Sequence, residues 1–113
     1  MRVLFLPEVS QQFMILAEIL YDKGYMSFLD SALTYSESLF RDIERTLPQK
    51  IHRKAPAWFD RFGKDMSYAS FRKNRHTTWY VFFNIYDVSG ETVYLVRYLS
   101  NSHVVVQHLN LEN

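Results

Sequence analysis

The stretch that decides the fold lies in the second half of the chain and reads Thr77-Thr78-Trp79-Tyr80-Val81-Phe82-Phe83-Asn84-Ile85-Tyr86. It is rich in β-branched and aromatic residues, which are typical of β-strands. Alternate residues of a strand share a face, so one face would carry Trp79, Val81, Phe83 and Ile85. The opposite face, with Tyr80, Phe82 and Tyr86, is also apolar. A strand that is apolar on both faces is predicted to be central in its sheet.

Turn residues on both sides of this stretch predict neighbouring strands. Upstream, residues 68–73 form a strand that ends in a turn at residues 73–76. Downstream, Asp87-Val88-Ser89-Gly90 is typical of a hairpin turn, and the return strand begins at Glu91 or Thr92 and ends at Leu99. The three strands form an antiparallel meander. Residues 104–106 form a short apolar element that fits either type of secondary structure.

The first half of the chain predicts a strand and two helices. Val3-Leu4-Phe5-Leu6 is typical of a buried strand, and Pro7 suits the first turn of a helix. Apolar residues at three- and four-residue steps then predict a helix from residue 7 to about 23, with Gly24 at its left-handed end. A second helix is predicted from a Ser27 cap, with Asp30 three residues on, to Pro48. Five residues are predicted to pack between helices and sheet: Met14, Tyr21, Tyr25, Met26 and Tyr35.

The order β-α-α-β-β-β predicts a single α+β domain that spans residues 1–113. The helical hairpin would pack on one face of a small mixed, mostly antiparallel sheet, in which the first strand pairs with the later meander. The other face would be left for solvent or a partner. Residues 48–65 show no periodicity and are predicted to be a basic, irregular connection that Trp58 and Phe59 anchor to the core.

The net positive charge of the chain comes from one segment. The whole chain has 13 Lys and Arg against 12 Asp and Glu, a net charge of +1. Residues 50–76 alone have eight basic and two acidic residues, a net charge of +6. This distribution argues against general coating of nucleic acid and favours a local anionic partner, either a phosphate backbone or an acidic peptide.

The sequence argues against cysteine chemistry, metal and cofactor sites, secretion and membrane insertion. The absence of Cys excludes disulfides, thiolate zinc sites and Cys nucleophiles. The four His lack the spacing of metal ligands, and no phosphate-cradling glycine loop is present, so neither a metal nor a cofactor is predicted. The start of the chain is too short for a secretory signal, and no apolar run approaches a membrane span. A cytoplasmic location without membrane contact is therefore expected.

Three stretches resemble a known family. They are Val3-Leu4-Phe5-Leu6-Pro7-Glu8-Val9, Asp42-Ile43-Glu44-Arg45-Thr46-Leu47-Pro48, and Phe71-Arg72 followed by Thr78-Trp79-Tyr80-Val81-Phe82-Phe83 and Tyr94-Leu95-Val96-Arg97-Tyr98. In their order and setting they resemble the RelE/ParE superfamily of toxins from bacterial type II toxin–antitoxin systems. The likeness covers residues 2–103.

The resemblance implies a growth-inhibiting, plasmid-stabilising toxin with two alternative activities. One branch of the family acts as metal-independent endoribonucleases (mRNA interferases) that cleave mRNA on the ribosome, and another poisons DNA gyrase. A cognate antitoxin with an acidic helical tail would silence the toxin in a hetero-oligomer. The chain departs from the ribonuclease pattern in two places, because Tyr80 stands where a second arginine is common and Ser100-Asn101 where a basic residue is common.

The candidate catalytic residues are Arg72, Arg97 and His103. The resemblance places Arg72 near the scissile phosphate, and Arg97 could bind phosphate in a bidentate way. His103 could serve as general acid or base near neutral pH. The alternatives are a salt bridge from Arg97 to a helix acid and a purely capping role for His103. Both departures from the pattern argue against an efficient nuclease, whereas His103 argues for one.

Two dense positive runs are candidate nucleic-acid contacts: His52, Arg53 and Lys54, and Lys73, Arg75 and His76. The runs could equally be solvated loops, or they could bind acidic residues of an antitoxin. A second hypothesis for the whole chain follows, namely a non-catalytic, inactivated toxin-like module that holds an acidic amphipathic partner segment.

Overall fold

The described part of the chain folds into two helices and one five-stranded sheet. A computed structural model describes residues 1–24, 27–73, 75 and 77–101. In chain order the elements are β1 (Arg2–Phe5), α1 (Pro7–Asp22), α2 (Leu29–Thr46), β2 (Arg53–Lys54), β3 (Ser67–Arg72), β4 (Thr78–Val88) and β5 (Glu91–Asn101). Short 3-10 turns lie at Leu47–Gln49 and Ala57–Arg61. Neither described helix has the length and apolar composition that a membrane-spanning segment requires.

The sheet is mixed, with the aromatic-rich strand in its middle. Its strand order is β1-β5-β4-β3-β2. β1 runs parallel to β5, and the other neighbouring strands are antiparallel. β4 and β5 are joined through Ser89 and Gly90, both with positive φ, as a tight hairpin turn requires. The predicted α+β class, the central position of β4 and the pairing of the first strand with the meander are confirmed.

The helical hairpin covers one face of the sheet and forms the larger core. Both helices contribute buried residues to it, and the sheet contributes every second residue of β3 and β4; the set includes Val9, Phe13, Leu39, Ile43, Leu47, Ala69, Phe71, Trp79, Val81 and Phe83. Tyr35 packs against this core and accepts a hydrogen bond from Trp79 Nε1 at 2.9 Å, as predicted for a packed residue.

The helix ends differ from the prediction in detail. Gly24 has a φ of +76°, so the predicted left-handed end of the first helix is confirmed. α2 begins at Leu29 with Phe28 in the capping position and no side-chain cap, so the predicted Ser27 cap is wrong. Met14 and Tyr21 are exposed, so the prediction that they pack in the core is wrong. Tyr25 and Met26 lie outside the described residues.

The face of the sheet opposite the helices is partly covered, which corrects the expectation of an open face. Residues 55–66, here called the aromatic cap, fold over it through a second cluster of buried residues. Phe59 is fully buried, and its ring stacks on Phe82 at 4.3 Å between centroids. Phe62 and Tyr98 stack in parallel at 3.9 Å. Phe59 and Trp58 therefore anchor the connection as predicted, and its regular structure is limited to a two-residue strand and short 3-10 turns.

A β-bulge in β5 changes which residues face the helices. Phe82 pairs with Tyr98 and Phe83 pairs with Val96, so Arg97 is the extra residue. A bulge breaks the alternation of a strand. As a result Tyr94 and Val96 belong to the helix-side core before the bulge and Leu99 belongs to it afterwards. Of Val93, Leu95 and Leu99, which simple alternation along the sequence places together on the core face, only Leu99 belongs to the helix-side core.

Candidate functional site

The sheet face opposite the helices carries a row of three hydroxyl-bearing residues, of which Tyr80 belongs to the cluster buried under the aromatic cap. Tyr80 alternates with the helix-side residues Trp79 and Val81, so its ring lies on the face opposite the helices. The strand register places Ser70 on one side of Tyr80 and Ser100 on the other. These three residues, here called the hydroxyl row, cross three adjacent strands.

Arg72 lies on the same face, at the end of β3. Its neighbour Phe71 is buried in the helix-side core, so the alternation of the strand turns Arg72 to the other side. Arg72 pairs in register with Thr78, two residues along the strands from the pair of Ser70 and Tyr80. Its side chain is exposed. The fold therefore places an exposed arginine on the same face as the hydroxyl row, two residues further along β3 than Ser70.

The inner end of the hydroxyl row is desolvated. Tyr80 and Ser100 are each 8% exposed, and the Tyr68 and Tyr80 rings meet edge to face at 6.1 Å. Burial raises the pKa of Tyr80, and the neighbouring Tyr68 raises it further. Burial disfavours the phenolate, so Tyr80 keeps its proton at neutral pH. Tyr80 therefore suits a hydrogen-bond donor to an anion and does not suit a general base.

Arg97 faces the aromatic cap and is held by neutral partners. Its Nε donates to Asn84 Oδ1 at 2.6 Å, and its Nη2 donates to the Tyr86 hydroxyl at 2.7 Å. Asn84 in turn donates to the carbonyl of Lys64 in the cap at 3.0 Å. The alternative of a salt bridge to a helix acid is therefore not the observed arrangement. Arg97 ties the cap to the sheet, and the structure does not bring it into the hydroxyl row.

Two residues of the predicted nucleic-acid runs lie on the helix side. The Nε2 atom of His52 lies 2.9 Å from the carbonyl oxygen of Leu47, and its ring packs against Phe83 at 4.8 Å. Lys73 forms a salt bridge with Asp42 of α2 at 3.1 Å and also donates to Ser38. Both side chains therefore brace the helices against the sheet rather than border the face that carries Arg72.

The other residues of the two runs lie on the surface. Arg53, Lys54 and Arg75 are exposed, and Arg53 pairs with Tyr68 in the register of β2 and β3. In the aromatic cap, Arg61, which the sequence did not single out, lies over the Trp58 ring at 4.1 Å. A basic edge thus borders the aromatic cap and the adjoining sheet face. His76 and His103 lie outside the described residues.

The arrangement provides cations and neutral donors, which together suit an anion with several oxygen atoms. Arg72 can donate two parallel hydrogen bonds to a phosphate or carboxylate, and hydroxyl groups of the row can add neutral ones. The sequence contained a signal for the row, because Ser70, Tyr80 and Ser100 lie at alternating positions relative to core residues. The register that aligns them across three strands was not readable from any single stretch. Within the described ranges, no three His, Asp or Glu side chains lie together as a metal would require.

Comparisons with known proteins add no relative to this picture. No family model matches the chain, and no curated protein and no solved structure gives a significant match.

Proposed function

We propose that this chain is a RelE/ParE-like toxin of a bacterial type II toxin–antitoxin pair and that it acts through the sheet face opposite the helices. The observation that carries the proposal is the placement of exposed Arg72 beside the hydroxyl row, next to a basic edge. The fold supports it too, because the first strand pairs with the later meander in a mixed, mostly antiparallel sheet that two helices cover, as expected for the element order that carries the resemblance.

Cleavage of mRNA on the ribosome is the activity that this face fits better. Attack by a 2′-hydroxyl needs neutralisation of the charge that develops on the phosphate, together with a proton acceptor and a proton donor. Arg72 supplies the cation, and Tyr80, which stays protonated, supplies a neutral hydrogen bond. His103 is the residue that the sequence offers for one of these two proton transfers. Arg97 serves the aromatic cap in this proposal and takes no part at the phosphate.

Expression without an antitoxin tests the proposal directly. Induction of the chain in a bacterial host should arrest growth, and primer extension on cellular mRNA should reveal ribosome-dependent cuts within coding regions. Double-strand DNA breaks in place of RNA cuts would assign the chain to the gyrase-poisoning branch. Normal growth at a level where the purified protein is demonstrably folded would overturn the toxin proposal.

The alternative is a non-catalytic toxin-like module that holds an acidic amphipathic partner segment. One observation favours it: Arg97, Lys73 and His52 are engaged in packing the fold, which leaves fewer cations for a reacting phosphate. The module would leave growth unaffected and would bind an acidic helical peptide through the basic edge. A neighbouring gene for a protein with a DNA-binding half and an acidic tail would favour the toxin, and its absence would favour the module.

A further inference from the structure

The outer surface of the helical hairpin has a groove of about 550 Å³. Its walls come from α1 and α2, and its rim is formed by Met14 and Leu33, whose exposed fractions are 75% and 46%. Phe13 and Phe40 form an aromatic floor, with ring centroids 5.2 Å apart in an edge-to-face arrangement. Single apolar residues scattered over a surface are normal, but here two exposed apolar side chains border one groove. Contiguous exposed apolar surface of this kind is typical of interaction sites.

The groove exists because small residues separate larger ones. Ser10 and Ser36 lie in its lining, between the bulkier Phe13 and Phe40. Ser36 is buried and donates from Oγ to the Phe13 carbonyl at 2.6 Å, which fixes α1 against α2 beneath the groove. The floor is therefore rigid, whereas the unbranched Met14 side chain on the rim adapts readily to a partner.

The length and spacing of the groove match a helix. On α2 it extends from Leu33 through Glu37 and Arg41 to Glu44. The eleven steps between these twelve residues, at 1.5 Å each, give about 16 Å, or three turns of helix. A partner helix places apolar side chains on one face at three- and four-residue steps, and three such anchors fill a groove of this length.

The charge of the helical layer decides which helix fits. α1 has three acidic residues and no basic ones, and α2 has four acidic residues and two basic ones, which gives a net charge of −5. Of the acidic residues, Asp42 is paired with Lys73 from outside the helices. Glu37, Glu44 and Arg41 line the groove itself, so the lining has a net charge of −1 within the more acidic helical layer. An acidic surface around an apolar groove attracts a partner with basic flanks and repels an acidic one.

We propose that this groove binds an amphipathic helix of a partner protein whose apolar face enters between Met14 and Leu33 and whose flanks are basic. The surface is distinct from the sheet face of the proposed toxin site and lies on the other side of the molecule. The net negative charge of the two helices disfavours an acidic antitoxin tail at this groove. The inference therefore does not depend on the proposed function, and either can fail alone.

Two fluorescein-labelled peptides test the charge requirement against the full chain. The first is a designed helix of about 18 residues with Leu at positions i, i+4 and i+7 and Lys on both flanks. The second has every Lys replaced by Glu. Fluorescence anisotropy should show saturable binding of the basic peptide, at least about tenfold tighter than that of the acidic one. Added salt should weaken the basic complex.

Substitutions locate the binding. Met14→Gln combined with Leu33→Gln should weaken the basic peptide at least about tenfold, because both apolar walls are lost. Glu37→Lys combined with Glu44→Lys should reverse the preference for basic over acidic flanks. Val88→Gln, at a residue that is 55% exposed on the β4–β5 hairpin, is the matched control and should leave binding unchanged. All five positions are exposed, and circular dichroism verifies that each variant is folded.

Three results would overturn the proposal. Equal binding of the two peptides would contradict the preference for basic flanks. Unchanged binding to the Met14 and Leu33 variant would mean that the peptide binds outside the groove. A dimer in solution that the same variant converts to monomer would mean that a second copy of this chain occupies the groove.

Discussion

Arg97 donates from Nε to Asn84 Oδ1 across 2.6 Å, from the bulge of β5 to the adjacent strand β4. Asn84 also reaches the Lys64 carbonyl, so the pair joins two strands to the aromatic cap. The Arg97 side chain lies so close to Gly63 that a Cβ at Gly63 would meet its Cδ at 2.6 Å. An arginine that looked like a phosphate ligand in the sequence is therefore packed as part of the fold.

The contact between Gly63 and Arg97 predicts a coupled pair of substitutions. Gly63→Ala should lower the free energy of unfolding by about 1–3 kcal/mol, since the added methyl forces Arg97 to move. In an Arg97→Ala background the same substitution should cost measurably less, because the opposing atom is gone. Urea unfolding of the four proteins of this double-mutant cycle provides the coupling energy. Strictly additive effects would contradict the proposed packing.

Phe59 should be a major source of stability. It is fully buried between the aromatic cap and the sheet and stacks on Phe82. Phe59→Ala should lower the free energy of unfolding by about 3–5 kcal/mol. Phe28→Ala is the matched control, because Phe28 is 71% exposed, and it should change stability by less than about 0.5 kcal/mol. A small effect at Phe59 would mean that the cap contributes little to the core.

Arg72 and Lys73 are adjacent in sequence, but substitution of Arg72 should affect RNA binding and substitution of Lys73 should affect stability. Arg72→Ala should reduce binding of single-stranded RNA by at least about tenfold, because a charge-assisted contact is lost. Lys73→Ala should leave RNA binding nearly unchanged and should lower the free energy of unfolding by about 1 kcal/mol through loss of the pair with Asp42. Filter binding and urea unfolding measure the two effects. Equal loss of RNA binding in both variants would contradict the proposal that Arg72 contacts RNA and Lys73 does not.

Tyr80 should make stability fall at alkaline pH. Its pKa in the folded protein is raised above the ordinary value of 10.0. The unfolded chain therefore loses this proton first, so the stability that the protonated Tyr80 contributes is complete below pH 10 and is lost as the pH rises above it. Tyr80→Phe should flatten this part of the pH profile in urea unfolding between pH 8 and 11. Tyr21→Phe, at an exposed residue of α1, should reproduce the wild-type slope.

The period of apolar residues predicted the structure correctly where a strand or helix has no irregularity. The stretch from Trp79 to Phe83 predicted a central strand because each face of it is apolar in the sequence itself, and α1 followed from the spacing of Val9, Phe13 and Ala17. Alternation failed in β5, because the extra residue of the bulge at Arg97 shifts every later side chain to the other face. A bulge is a property of how two strands pair, so the sequence of one strand does not predict it.

The candidate site divides in the same way. The sequence singled out Arg72 and Arg97 as catalytic candidates and Lys73 as a candidate nucleic-acid contact, because residue type, charge and resemblance were the only guides. The tertiary structure separated them by placing Arg72 beside the hydroxyl row, Arg97 against the cap and Lys73 against α2. The partners of a long side chain come from elements remote in sequence, so only the packed fold assigns them.

The sequence by itself determined the class of the fold, the order of its main elements, the central strand and the confinement of net positive charge to residues 50–76. These properties depend on local propensity and on the period of apolar residues, which neighbouring residues in the chain encode together. Only the tertiary structure decided that the aromatic cap covers part of the second sheet face and which cations remain exposed beside it. It also revealed the acidic groove between α1 and α2, since a groove exists only between two elements and its charge is the sum over both.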